Sequence, residues 1–377
     1  MGLLSFDPDT KLERGLKTLH GRVVEELSGL NSASPQELEY VRHSAFVSTV
    51  GASTRIENAI LTDIEVNWVD TLLSEDERPT SFEEKKALIV DKLSKDKERS
   101  VEEVAGCREM MMTIYSQHED LFPLTETVIG ALHGDLMRHH PPATSHRGRY
   151  KSTPNRVISI NHVTGVERTV LDPAPPGAIT ASAMSDLVHW YNRTLRECTW
   201  PILAAVEFVF RFLAIHPFKD GNGRLGRALF VLALLQSGDE QLSGIVPYVS
   251  IDRHIEQTRP LYYSVLHEAS EGRFFQDPLK YSYGYLASYF LRVIAGSLAD
   301  IGIYRGRYAE LEGLSESAVK VLDAFKSHPE KRLKTAEVIE VTGLPRRTAQ
   351  HSLMTLKKKG FLQLLGKGPG SRYQLVF

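Results

Sequence analysis

The sequence predicts a mainly α protein: a helical core carrying one β-hairpin, followed by a small α+β domain. Three observations carry that prediction. Apolar residues recur at helical spacing through most of the 377 residues. Strand-like alternation is concentrated between Val157 and Val170. Residues 314–377 read helix, helix, turn, helix, hairpin. At 42% hydrophobic and 24% charged, the chain is in the ordinary globular range and long enough for two or three domains.

Residues 1–105 are expected to form an N-terminal helical region. LERGLKTLHGRVVEELSGL has apolar residues at helical spacing, and SPQELEYVRHSAFVSTVGA opens on Ser34-Pro35, a favourable helix start. The charge-rich stretch from Asp91 to Glu103 reads as a solvated helix face or loop. Residues 106–298 form the core. They begin helical and then change character in HRGRYKSTPNRVISINHVTGVERTVLDPAPPG, where Val157 to Ile160 and Val166 to Val170 flank a Thr164-Gly165 turn. Helical pattern returns after Pro176, and PILAAVEFVFRFLAI is apolar on most faces, as a buried central helix should be.

Residues 299–313 are read as a linker to the last domain, 314–377. There SESAVKVLDAFKSH is amphipathic, KTAEVIEVTG ends on Gly343, and PRRTAQHSLMTLKKKG runs from Pro345 to Gly360. A hairpin around Gly368-Pro369-Gly370 completes the order of a winged helix-turn-helix. Charge is unevenly distributed. Ser315 to Phe377 carries 12 Lys and Arg against 5 Asp and Glu, a net of +7 that leaves −9 on the remainder of a chain whose total is −2.

Two cysteines, Cys107 and Cys198, are too few for a disulfide framework and match no zinc spacing, which points to a reducing compartment. MGLLSFDPDTKLERG lacks a basic flank followed by an apolar core, and Phe6 stands where a myristoylation signal needs Ser or Thr. No run approaches the length needed to cross a bilayer, so a cytoplasmic protein without a membrane partner is expected.

Between two apolar helices lies IHPFKDGNGRLGRAL. Pro217 forces the preceding helix to stop. Gly221, Asn222 and Gly223 all tolerate positive φ, so their N–H groups can turn inward as an anion nest, with the next helix starting directly afterwards at Arg224. Arg224 and Arg227, three residues apart, can aim two guanidinium groups at one polyanion, Asp220 offers a hard oxygen for magnesium, and His216 can accept a proton from a hydroxyl. These are the parts of phosphoryl or nucleotidyl transfer. GNGRLG also fits a dinucleotide fingerprint, but no strand precedes it and no second strand ending in an acid follows.

HPFKDGNGRLGR, His216 to Arg227, resembles the signature of the Fic family, H-x-F-x-[DE]-G-N-G-R-x-x-R, at every fixed position. The resemblance implies a helical core with a β-hairpin flap that transfers AMP from ATP to a Tyr, Ser or Thr hydroxyl of a protein, releasing pyrophosphate. It makes His216 the general base and Asp220 the ligand of Mg2+. Gly221, Asn222 and Gly223, with Leu225 and Gly226 in the same segment, become the phosphate loop, Arg224 and Arg227 face the outer phosphates, and Phe218 anchors the loop. Val157, Ile158 and Ser159 fall on the flap, whose free edge would hold a target segment by strand addition; without the resemblance this is an ordinary surface hairpin. In RPLYYSVLHEASEG, Tyr263 and Ser270 match by spacing residues that line the adenine pocket, with Ser270 where some members carry asparagine. A Tyr-Tyr pair in a helix is equally what core packing uses.

STRIEN, Ser53 to Asn58, resembles the inhibitory-helix signature of self-restrained Fic proteins, [ST]-x-x-x-E-[GN]. The resemblance implies that Glu57 pairs with Arg227 through a bidentate carboxylate, occupying the guanidinium that should bind the γ-phosphate. In relatives the same glutamate is linked to removal of AMP, which leaves a de-AMPylase as an alternative. The expected partners are ATP and a hydroxyl-bearing protein, which includes this chain itself. In the basic domain 314–377, Arg346, Arg347, Thr348 and Gln350 open a recognition-type helix that ends on Lys357 to Lys359. That domain reads either as a DNA-binding module, making the chain a regulator with a nucleotide-sensing core, or as a homodimerisation or target-docking module.

Overall fold

The computed structural model describes residues 3–74, 81–160, 167–327, 331–366 and 368–376. Helices α1 (Thr10–Leu30) and α2 (Pro35–Ile56) open the chain, followed by α3 (Asp63–Ser74), α4 (Ser81–Leu93), α5 (Glu98–Gln117) and α6 (Glu126–Leu136). Strands β1 (Val157–Ile160) and β2 (Glu167–Leu171) come next. After them run α7 (Ala178–Thr194), α8 (Pro201–Ile215), α9 (Asn222–Leu235), α10 (Glu240–Ile245), α11 (Ile251–Gln257), α12 (Arg259–Ser270) and α13 (Gly284–Glu312). The chain ends with α14 (Glu316–Lys326), α15 (Thr335–Thr342), α16 (Arg346–Lys358), β3 (Leu362–Leu365) and β4 (Arg372–Leu375). The fold is mainly helical, as the periodicity predicts.

The chain divides into two compact units, Met1–Asn58 with Gly106–Ile301, and Ala59–Ala105 with Gly302–Phe377. The single N-terminal region expected over 1–105 is therefore split at Asn58. The reason is α2, whose Val41, Val47, Val50, Ala52 and Ile56 are buried. Its C-terminal end is tied to α11 by Arg55, which donates from Nε to Glu256 Oε1 at 2.6 Å and from Nη2 to Oε2 at 2.9 Å. Ser34 caps α2 by accepting the Glu37 N–H, with Pro35 in the first turn, so the Ser-Pro start behaves as its chemistry requires. The centre of this unit is α8, with Phe208 and Phe212 fully buried, against α9. Even Glu207 is buried there, accepting from the Ser5 N–H at 2.9 Å and pairing with Arg211 at 3.3 Å. β1 and β2 pair antiparallel, Val157 opposite Leu171 and Ile158 opposite Thr169, with an irregularity between Val157 and Ile158. The expected Thr164-Gly165 turn lies outside the described residues.

In the second unit, the charged stretch from Asp91 to Glu103 is exposed over most of its length up to Arg99, as expected, and buried at its end. Glu102 and Glu103 are buried, and the Lys86 Nζ lies 2.7 Å from Glu102 and 2.9 Å from Glu98, because paired charges can be withdrawn from water where single ones cannot. Helices α14 to α16 and the antiparallel β3–β4 pair enclose Val321, Phe325, Val338, Leu353 and Leu356, in the predicted order of elements. Gly343 at φ 64° ends α15.

Two expectations change at α13. Residues 299–312 are not a linker but its continuation, since Leu298, Ile301 and Tyr304 keep helical spacing and are all buried. By length and composition α13 also qualifies to cross a bilayer, contrary to the reading that no run does so. However, 61% of its most apolar window is buried inside the protein, as in a core helix.

Candidate active site

The site grows from the break between α8 and α9. Helix α8 stops at Ile215, and His216 turns to φ 51° and ψ 59° while its N–H still bonds Phe212 O at 2.9 Å. Helix α9 resumes at Asn222, two residues before the predicted Arg224. Of the three residues expected to take positive φ, only Gly221 does, at 76°. Asn222 is instead helical, and its side chain folds back on the loop: Oδ1 accepts the Phe218 N–H at 2.9 Å and Nδ2 donates to Phe218 O at 2.8 Å. That reciprocal pair makes the early helix start possible. The N–H groups of Asn222, Gly223 and Arg224 are left as the orphan donors of a helix N-terminus.

The loop is held from beneath by Phe218 together with His133, Lys151 and Asn155, three residues outside the motif. Phe218 is fully buried and stacks on His133, ring centroids 3.9 Å apart and planes within 6°. His133 accepts the Gly148 N–H at Nδ1 (2.8 Å), so its Nε2–H donates to Asp220 O (3.0 Å). Burial pulls this imidazole down to about 4, keeping it neutral. Lys151 donates from Nζ to Ile215 O at 3.1 Å and to Asn155 Oδ1 at 2.8 Å, while its own N–H bonds Pro217 O at 2.7 Å. Asn155 Nδ2 donates to Phe218 O at 2.9 Å. Burial pulls the Lys151 ammonium down to about 8. Their only signal in sequence is the polar run RGRYKSTPN just before the hairpin.

Above the loop is a cleft of about 300 Å3 with His216 in its wall. His216 Nδ1–H donates to Leu213 O at 3.2 Å, which leaves the basic lone pair on Nε2. Burial, reinforced by the Lys151 charge, lowers the imidazole to about 4, so it is neutral at pH 7. Asp220 reaches the cleft half-exposed, its Oδ1 accepting the Gly221 N–H at 2.7 Å. Val157 and Ile158 of the hairpin line the same cleft, as does Tyr263. The side chain of Ser159 lies outside the described residues.

Glu57 follows directly on α2 and enters the cleft at the start of α9. A Cβ on Gly223 would fall 2.2 Å from Glu57 Oε1, so the carboxylate rests against the bare backbone of the first helical turn. The same Oε1 accepts from Arg227 Nη2 at 3.0 Å. The contact uses one oxygen, where a bidentate pair was expected, because Ser53 already occupies the guanidinium. Ser53 O takes Nη2 at 2.8 Å and Ser53 Oγ takes Nε at 3.2 Å. A second carboxylate, Asp252, absent from the sequence reading, lies 3.6 Å from Nε. Burial works against the Arg227 charge, but Glu57 and Asp252 overcome it and raise the guanidinium pKa. Asn58 takes φ 75°, and its Oδ1 accepts from Arg259 Nη2 at 3.0 Å, placing Arg259 5.8 Å from the Tyr263 ring.

Other members of the expected set turn away. Arg224 is buried, 3.9 Å from Asp220, and among the described residues its Nε has no hydrogen-bond partner. It does not line the cleft. Leu225 is fully buried and its N–H closes the first helical bond to Gly221 O, while Gly226 lets Leu213 approach so closely that a Cβ would sit 2.8 Å from Cδ2. Neither lines the cleft. Ser270 is buried outside the cleft wall, its hydroxyl spent on Leu266 O at 2.9 Å in its own helix.

Residues 123–234 match the Fic/DOC family, and the chain carries a Fic/DOC domain there. It is 29% identical over 141 residues to the protein adenylyltransferase fic-1 of Caenorhabditis briggsae, a match covering 32% of this chain and 26% of that relative. The chain thus spans about a quarter of that relative's length. Among solved structures it is similar to a Fic family protein from Desulfovibrio desulfuricans G20, with a TM-score of 0.53 at 22% identity and 98% of each chain covered. It is also similar to Fic-1 from C. elegans, with a TM-score of 0.54 at 19% identity, covering 79% of this chain and 73% of that one. At these identities the likeness is one of fold.

Proposed function

We propose that this chain is a protein adenylyltransferase restrained by its own Glu57. The observation that carries the reading is the Glu57 carboxylate itself, seated on Arg227 against the first turn of α9 beside a neutral imidazole. A site built to receive an anionic ligand at a helix N-terminus is filled by an anion of the same chain. In the forward reaction His216 Nε2 takes the proton of a target hydroxyl, whose oxygen bonds to the α-phosphorus of ATP. The bond from that phosphorus to the bridging oxygen breaks, and pyrophosphate leaves. The orphan N–H groups of α9 and the free edge of Arg227 receive the phosphates, and the outer edge of β1 aligns the target segment.

Asp220 fits Mg2+ of the kind that arrives with a nucleotide. It is a single half-exposed carboxylate, and among the described residues no cluster of three or more His, Cys, Asp or Glu forms a metal cage. When bound, the ion would neutralise phosphate charge beside Asp220. Tyr263 and Arg259 border the part of the cleft available to the base.

Intact-mass spectrometry after incubation with ATP and Mg2+ tests the reading. Glu57→Gly is expected to gain an AMP adduct, on itself or on a supplied partner, about tenfold or more above wild type. Adding His216→Ala should remove it by a factor on the order of 100 to 10,000. A Glu57→Gly protein with neither adduct nor improved ATP binding would end the proposal.

A second reading concerns the C-terminal domain and rests on α16. Arg346, Arg347, Lys357 and Lys358 are exposed and, among the described residues, unpaired, on a helix without an acidic residue. This is the pattern expected of a helix that meets DNA phosphates.

A further inference from the structure

We infer that Asp252 is a positioning residue for the γ-phosphate clamp, holding Arg227 in a fixed orientation whether or not Glu57 is in place. The inference rests on the nucleotide reading of the cleft given above.

Two carboxylates share the Arg227 guanidinium, and their surroundings differ. The Glu57 side chain is 32% exposed and stands on the residue that follows a helix end. The Asp252 side chain is only 4% exposed, lies within α11, and is hydrogen-bonded by Ser53. Glu57 lines the open cleft, which leaves room for its side chain to turn away. Asp252 has nowhere to go, and leaving Arg227 without it would bury an uncompensated charge.

The contacts divide along the same line. Nε faces Asp252 at 3.6 Å and Ser53 Oγ at 3.2 Å, while Nη2 is divided between Ser53 O and Glu57. Nη1 has no acceptor among the described residues and points toward Gly223, 3.4 Å from where a Cβ would be. When Glu57 departs, the Nη1 and Nη2 edge opens to the start of α9, and the Nε edge stays anchored by Asp252 and Ser53. A planar guanidinium held along one edge presents the other in a single orientation, as bidentate recognition of a phosphate needs. Asp252 also faces the negative charge of Glu256 on its own helix, itself engaged by Arg55, so the net local charge it offers remains matched to Arg227.

The test compares ATP with ADP, which lacks the γ-phosphate, by calorimetry in Mg2+ on full-length protein. Glu57→Gly is the parent. In that background Asp252→Ala is expected to weaken ATP roughly tenfold while leaving ADP within about twofold. Asp252→Asn keeps an acceptor of the same size for Nε and should restore most of the loss. Unchanged ADP affinity doubles as proof that the buried substitution has folded. Equal losses for both nucleotides, or no loss for ATP, would overturn the inference. An Asn variant binding ATP more tightly than the parent would also overturn it, because Asp252 would then act by cancelling charge. A parent that gains no ATP binding over wild type refutes the nucleotide reading itself, a result distinct from each of these.

Discussion

Positive charge is used in opposite ways in the cleft and on α16. In the cleft the cations behind and beside the loop are engaged in advance: Arg227 by Ser53, Glu57 and Asp252, Lys151 by Ile215 O and Asn155, Arg259 by Asn58, whereas Lys219 on the loop itself is exposed. On α16 four exposed cations stand unpaired among the described residues. Buried charge must be compensated to be tolerated, so a ligand there has to displace or share an existing partner, which makes binding selective and subject to restraint. Exposed charge needs no partner but is screened, so what it gains is affinity without selectivity, and that affinity falls with salt.

Salt is the strongest way to break this contrast. If the four α16 cations meet phosphates, affinity for a random duplex should fall on the order of a hundredfold between 50 and 200 mM salt. ATP binding by the Glu57→Gly cleft, where the charges are buried, should fall only severalfold. Fluorescence anisotropy measures the first and calorimetry the second, and a duplex that fails to bind even at 50 mM removes the DNA reading. A smaller effect tests the compensation inside the cleft. Lys151→Met leaves Ile215 O and Asn155 without their donor and should cost roughly 1–2 kcal/mol in urea unfolding. The same change withdraws a positive charge from His216, so its pKa, followed by NMR, should rise from about 4.

A further test of compensation in the cleft is pH. His133 and His216 are both lowered from 6.5 to about 4 by burial. Between those values the unfolded chain binds protons that the native protein refuses. Stability from this source is therefore complete above 6.5 and is lost as pH falls toward 4. Urea midpoints should decline over that window, and less steeply in His133→Gln. A forward rate that shows no inflection near 6.5 would accompany a base titrating near 4.

Part of the site was legible because its chemistry is local. His216, Phe218, Asp220, Asn222 and Arg227 fall within twelve residues, where a proline, a positive-φ glycine and a helix start follow one another as elementary stereochemistry requires. The pairing of Glu57 with Arg227 was foreseen through family resemblance, although its single-oxygen geometry was not. Leu225, Gly226 and Ser270 do not line the cleft, because membership in a motif does not say which way a helical side chain faces. Asp252, His133 and Lys151 were missed for a different reason: a lone acid, histidine or lysine in a helix or loop has no periodicity that marks it.

The sequence by itself determined the mainly α class, the hairpin, the order of elements in 314–377 and the break at His216, since each depends on residues close along the chain. Only the tertiary structure decided that α2 joins the unit that carries the cleft, that Asn222 opens α9 by bonding Phe218, and that Ser53, Glu57 and Asp252 surround one guanidinium. Those outcomes depend on burial, which makes each polar group find a partner wherever the chain brings one, at any distance in sequence.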